Sequence, residues 1–194
     1  GRFDQVLLTC PAPQVIGILE ASRMDEAMRG AIVEVLEAVR YHRQFSFVFA
    51  FDEEIARPHG MHAAINVDRG HDVSWISFEH DKEGHVPAGK NVVVVQMNPE
   101  WSDHHFEEDA DSQVNVVIKM LSPLLGTDLP VPLWWNRQRW GLAHPASGFD
   151  GDSLRFAERS GFFMAGDGVH GKGRVHLALK SGLEAASRML AGGG

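Results

Sequence analysis

The stretch Gly161 to Ala186, GFFMAGDGVHGKGRVHLALKSGLEAA, decides how the rest of the chain is read. It opens on a short apolar run, Phe162-Phe163-Met164-Ala165, of buried-strand length. The run stops at Gly166-Asp167-Gly168, and Gly171 and Gly173 follow closely. After Gly173 the period changes. Val175, Ala178, Leu179, Gly182, Leu183, Ala186 and Met189 recur at three- and four-residue spacing, the stripe of an amphipathic helix. Strand, glycine-rich turn and helix N-terminus together favour an electron-rich ligand. The first-turn N–H groups lack intrahelical partners and the helix dipole attracts negative charge there.

Gly166-Asp167-Gly168-Val169-His170-Gly171 satisfies G-x-G-x-x-G. A dinucleotide fingerprint, however, opens a βαβ unit and is followed by a second strand and an acidic residue. Here the sequence ends at Gly194, one helix later. The expectation is that this turn closes a nucleotide site whose main half lies elsewhere.

Met164-Ala165-Gly166-Asp167, Gly173-Arg174-Val175 and Ser181-Gly182-Leu183-Glu184-Ala185-Ala186 resemble the C-terminal flavin motif of FAD-dependent amine oxidases, most closely the renalase-like branch. The resemblance extends upstream through Val6-Leu7-Leu8-Thr9-Cys10-Pro11-Ala12-Pro13-Gln14 and Arg139-Trp140, and so covers most of the chain. It implies an FAD site in which Gly166, Asp167, Gly168, Gly173, Arg174 and Val175 hold the cofactor. The Gly-Asp pair would approach the pyrophosphate and ribityl chain, with backbone amides on the phosphates and the Asp167 carboxylate accepting from a ribityl hydroxyl. The start of the following helix would face the pyrimidine edge of the flavin. Asp167 also suits a helix cap or turn, and Arg174 suits either a counter-charge or a solvent-facing position. Gly182 costs about 1 kcal/mol in a helix interior, and the expectation is that close helix packing offsets it.

The family's N-terminal glycine-rich ADP-binding βαβ is missing from this sequence. The expectation is therefore a chain that starts in mid-protein, its sheet completed by an N-terminal segment of the same protein.

Composition narrows the alternatives. The 194 residues are 44% hydrophobic, ample for a core. A formal charge of −8 with no basic cluster argues against nucleic-acid binding. No apolar run is long enough to span a membrane as a helix or to read as a signal peptide. The single cysteine, Cys10, allows no internal disulfide and fits a reducing, cytoplasmic setting. Cys10 reads equally as a residue near a cofactor's adenine end or as a small buried hydrophobe.

In chain order, Gln5 to Thr9 reads as a buried strand broken by Pro11-Ala12-Pro13. Arg23 to Arg40 carries a helical stripe with Ser22 as its cap. Phe45 to Phe51 alternates with period two. Its phenylalanines read as core in preference to the lining of an apolar substrate cavity. Met61–Val67 and Val73–Glu79 read as strands about a turn at residues 68–72, and Asn91–Met97 as a central strand. Val114, Val117, Ile118, Leu121 and Leu124 mark a second helix, ending near Pro123 to Gly126. Leu133–Ala143 reads as an aromatic strand stopped by His144-Pro145, with Ala146–Arg155 a polar connector and Gly192-Gly193-Gly194 a frayed tail.

The fold class expected is α/β (α+β). A mainly antiparallel, sheet-and-helix substrate domain over residues 15–145 is flanked by parts of a Rossmann-like FAD-binding domain, a strand in 1–14 and the strand–turn–helix of 146–194.

A metal centre is disfavoured, since His104 and His105 point about 100° apart on a helix and no third ligand has a suitable spacing. Gly-x-Ser-x-Gly is absent, against a hydrolase. By resemblance, the tryptophan strand passes near the flavin and lines the substrate cavity. Trp140 is the candidate active-site aromatic, with inter-domain packing as the other reading. The function implied is oxidation of an amine or a reduced nicotinamide-like small molecule by hydride transfer to FAD. The alternative is a non-catalytic fragment or subunit that binds FAD only with its ADP-binding segment.

Overall fold

A computed structural model describes residues 3–192, so the terminal Gly193 and Gly194 lie outside the described residues. In chain order the elements are β1 (Val6–Leu8), α1 (Ala12–Glu20), α2 (Glu26–Glu37), β2 (Tyr41–Phe51), β3 (Ala63–Ile65), β4 (Val73–Phe78) and β5 (Asn91–Met97). They continue with α3 (Pro99–His104), α4 (Ala110–Leu125), β6 (Trp134–Pro145), α5 (Arg155–Glu158), β7 (Phe162–Met164) and α6 (Val175–Gly192). The strands form two sheets, one parallel and one dominated by antiparallel pairs, accompanied by the helices. The mixed class expected from the sequence is the one observed.

The chain divides into two units, residues 43–141 and residues 3–42 with 142–192. The sequence reading set the divisions at 14/15 and 145/146. The shift has a physical cause: α1 and α2 bury Ala12, Val15, Leu19, Ile32 and Leu36 in the same core as Phe162, Met164 and Val169 of the glycine-turn region.

The 43–141 unit is built on a five-stranded sheet in the order β3-β4-β5-β2-β6. Antiparallel pairing sets Phe47 opposite Val95 and Phe49 opposite Val93. The period-two pattern of Phe45, Phe47, Phe49 and Phe51 puts all four rings on one face, fully buried. Val117, Leu121 and Leu125 of α4 join that core. The phenylalanine stripe is thus core. Asp109 caps α4 by accepting from the Ser112 amide at 3.0 Å, and Gly126 closes it in the left-handed conformation.

In the other unit, β1 and β7 form a two-stranded parallel sheet with Val6 opposite Phe162 and Leu8 opposite Met164. Strand β1 ends before Pro11-Ala12-Pro13, as expected, and the same segment starts a helix that the sequence reading did not place: Pro11 is the N-cap of α1 and Pro13 lies in its first turn. A proline there forfeits no intrahelical hydrogen bond and arrives with helical φ. Helix α2 begins at Glu26, capped by the Asp25 carboxylate accepting from the Met28 amide at 2.8 Å; Ser22 bonds back to the Ile18 carbonyl at 2.6 Å instead. Strand β6 runs through His144 to Pro145, since a proline is tolerated at a strand end.

Candidate functional site

Between β7 and α6 the chain makes the bend that the sequence marked. The Ala165 amide donates to the Leu8 carbonyl, which completes the parallel pairing. Gly166 then turns at φ 122°, a conformation closed to most side chains. Its N–H donates to the Ser181 hydroxyl oxygen at 2.8 Å, and that hydroxyl lies 2.8 Å from the Ala178 carbonyl and 3.1 Å from the Gly166 carbonyl. Ser181, buried in mid-helix, therefore fastens the start of the turn to α6. Ser181 was part of the sequence motif without a role. The signal available was a hydroxyl standing three residues beyond Ala178 and four before Ala185 on one small-residue face.

The glycines beyond the bend serve chain-to-chain contact as much as open backbone. A Cβ built on Gly148 would stand 2.5 Å from the Gly168 carbonyl oxygen and closer still to the Gly171 amide nitrogen. The Phe149 amide donates to the Gly168 carbonyl at 3.2 Å. The polar connector of the sequence reading is thus a clamp on the turn. Its Ser147 hydroxyl accepts from the Arg40 amide and donates to the Ala38 carbonyl, both at 2.9 Å. A Cβ on Gly168 would lie 2.9 Å from the Tyr41 hydroxyl, and one on Gly173 would lie 2.6 Å from the Cβ of His144.

A cleft of about 510 Å³ opens beside this bend, within the range of small-molecule sites. Gly166, Asp167, Gly173, Arg174 and Val175 line it, together with Thr9 and Pro11 after β1, Ala143 and His144 of β6, and Ala165, Ala178 and Gly182. The structure brings five of the six cofactor-binding candidates together. The sixth, Gly168, is buried against Tyr41 and takes no part in the lining. Trp140 belongs to the 43–141 unit. It is about half exposed, and its Nε1 donates to the Ser46 hydroxyl at 3.2 Å.

Electrostatics at the bend follow from its backbone. The Arg174 carbonyl accepts from the Leu177 and Ala178 amides and so begins α6. The amides of Val175 and His176 fall before the first intrahelical donors, and Arg174 adds a cation at the same end. Burial, with the Asp167 carboxylate facing it, holds the Tyr41 hydroxyl above the ordinary tyrosine range. Tyr41 is accordingly a protonated donor. Burial, then His42 and Arg174, hold the His144 imidazole below the ordinary histidine range against the pull of Pro145 and Asp167.

A family model for flavin-containing amine oxidoreductases matches residues 1–190. The chain belongs to this family. FAD is the cofactor that membership implies. Solved structures of the same fold include a protein assigned as a protoporphyrinogen oxidase from Exiguobacterium sp., 20% identical, with a TM-score of 0.69 over 97% of this chain and 41% of that one. An oxidoreductase from Methanosarcina mazei is 16% identical, with a TM-score of 0.66 over 95% of this chain and 43% of the other. Cyclohexylamine oxidase from Brevibacterium oxydans is 10% identical, with a TM-score of 0.62 over 96% and 42%. The chain thus spans about two fifths of the length of these relatives. No curated relative matches it by sequence.

The residues present fit part of the flavin cofactor of this amine oxidoreductase family. Helix-start amides and Arg174 suit its electron-rich atoms, and Asp167 suits a hydroxyl. A Cβ built on Gly182 would meet nothing within 4 Å, so that side of the cleft is open backbone. The close helix packing expected at Gly182 does not occur within the described residues.

Proposed function

We propose that the chain is the substrate-domain and C-terminal cofactor-closing part of an FAD-dependent oxidoreductase of the renalase-like branch, acting on an amine or a reduced nicotinamide-like small molecule. The observation that carries this reading is the open cleft at the strand–glycine turn–helix bend, lined by the residues of the flavin motif. When bound, FAD supplies the hydride acceptor. The chain's own residues orient it. The Val175 and His176 amides offer donors at the positive end of α6, and Arg174 balances negative charge. Asp167 accepts from a hydroxyl of the ribityl chain. Gly166, Gly173 and Gly168 let the backbone lie close, the last by seating the turn on Tyr41. Trp140 is the aromatic we assign to the substrate side.

The partner in this reading is an ADP-binding N-terminal segment of the same protein. Parallel sheets are normally covered on both faces and seldom stop at two strands. Here Val6 of β1 is 46% exposed, and α6 turns Val175, Leu179 and Leu183 outward at 88, 63 and 63% exposure. The net charge of −8 speaks against nucleic acid as a ligand, and one cysteine fits a cytoplasmic protein. Among the described residues no helix is long and apolar enough to cross a membrane.

The test is the visible spectrum of the full-length protein. Oxidised-flavin absorption that bleaches when an amine or reduced nicotinamide is added without oxygen is the expected result. A colourless protein that takes up no added FAD would sink the proposal.

A further inference from the structure

One wall of the cleft lies outside the flavin motif. His144, near the end of β6, lines the cleft and is partly buried. His42 of β2 holds it on one side, its ring centroid 4.8 Å away and tilted by 51°. The backbone of Gly173 closes from another side, so near that any Cβ there would fall 2.6 Å from the His144 Cβ. The only residue type that fits position 173 without displacing His144 is therefore glycine.

We propose that His144 is a positioning residue for the cofactor: its imidazole, packed beside His42 at the wall of the cleft, hydrogen-bonds the polar edge of the flat heteroaromatic ring system bound in the cleft. This rests on the FAD reading above and adds to it a residue that the glycine motif does not contain.

The protonation state follows from the same surroundings. The charged and titratable groups facing His144 are His42 from β2, Arg174 at the start of α6 and Asp167 in the turn after β7. Burial, then His42 and Arg174, outweigh the opposing influence of Pro145 and Asp167, so the His144 imidazole is held below the ordinary histidine range and is neutral at neutral pH. An aromatic ligand that covers the cleft strips further water from His144 and disfavours its cation again. Binding is thereby linked to loss of a proton, and affinity falls as acid protonates His144.

The test measures the FAD dissociation constant of the full-length protein by flavin fluorescence, from about pH 5 to about pH 8, across the histidine titration range. His144→Phe should weaken binding at neutral pH by roughly 3- to 10-fold, the worth of one hydrogen bond. His144→Gln keeps a donor and an acceptor without a titrating proton. It should restore affinity to within about twofold at neutral pH, with the acid-side loss gone. A purely structural role would predict neither the rescue nor the flattened profile. Wild-type affinity in His144→Phe, or an acid-side loss that persists in His144→Gln, overturns the inference while leaving the cofactor reading standing. A wild-type protein that binds no FAD at any pH overturns both.

Discussion

Replacing Gly148 by alanine tests whether the connector before β7 is a clamp. Gly148 has no left-handed backbone requirement, so the cost is steric alone. The new Cβ would meet Gly168 O and Gly171 Cα at 2.5 Å, and these are backbone atoms that cannot rotate away. Forcing a methyl into packed surroundings costs about 1–3 kcal/mol. Displacing the turn also breaks the Phe149 amide to Gly168 carbonyl bond of 3.2 Å, about 1 kcal/mol more. The sum of roughly 2–4 kcal/mol corresponds to a drop of roughly 5–15 °C in Tm for a chain of this size. Urea denaturation and thermal melts followed by circular dichroism read both quantities. A Gly148→Ala protein within about 0.5 kcal/mol of the parent, the range of an ordinary surface substitution, would refute the clamp.

Gly182→Ala should behave in the opposite way. Its Cβ enters open space within a helix, so the fold gains about 0.5–1 kcal/mol in urea melts. The same methyl narrows the cleft, so FAD affinity in the full-length protein should fall; a rise in both would count against the site. Ser181→Ala leaves the Gly166 N–H without its acceptor and should destabilise by about 1–3 kcal/mol in the same assay. Stability should also fall in acid. His144 binds its proton more readily unfolded, near its ordinary 6.5, than folded, so the unfolded chain holds more protons between its two titration points. The loss should appear as pH falls from about 6.5 toward the lower, folded value, and urea melts of His144→Gln should lack this component. Tyr41 acts in the alkaline range with the other sign, its contribution being lost as pH rises past its ordinary 10.0 toward the folded value.

Much of the scaffold was legible because its signals are local. Period two placed Phe45 to Phe51 on one buried face, and β-branching gave β5 its observed bounds, Asn91–Met97. The change of period after Gly173 marked the start of α6. What escaped was of two kinds. Prolines read as breakers concealed α1, because a helix start and a chain break use the same residue. On α6 the apolar stripe marked an amphipathic helix without showing which face is buried. The helix buries Ser181 and Ala185, small side chains that permit close packing, and leaves Leu179 and Leu183 outward. Hydrophobicity alone cannot rank two such faces.

The site divides in the same way. Five motif residues meet at one cleft because the turn that carries them is continuous in sequence. His144 joins them from β6, and its packing against His42 and Gly173 exists only after folding. No local pattern announces a contact between residues so far apart in the chain. Trp140, expected by resemblance as the active-site aromatic, falls in the other unit, where its indole is tied to Ser46.

Hydrogen–deuterium exchange of the full-length protein with and without FAD addresses the flavin claim most directly. Slowed exchange on FAD addition at Asp167 and from Gly173 through Ala178, with peptides across Asn91 to Met97 unchanged, is the predicted result. Flavin-dependent protection that bypasses the bend between β7 and α6 would contradict it.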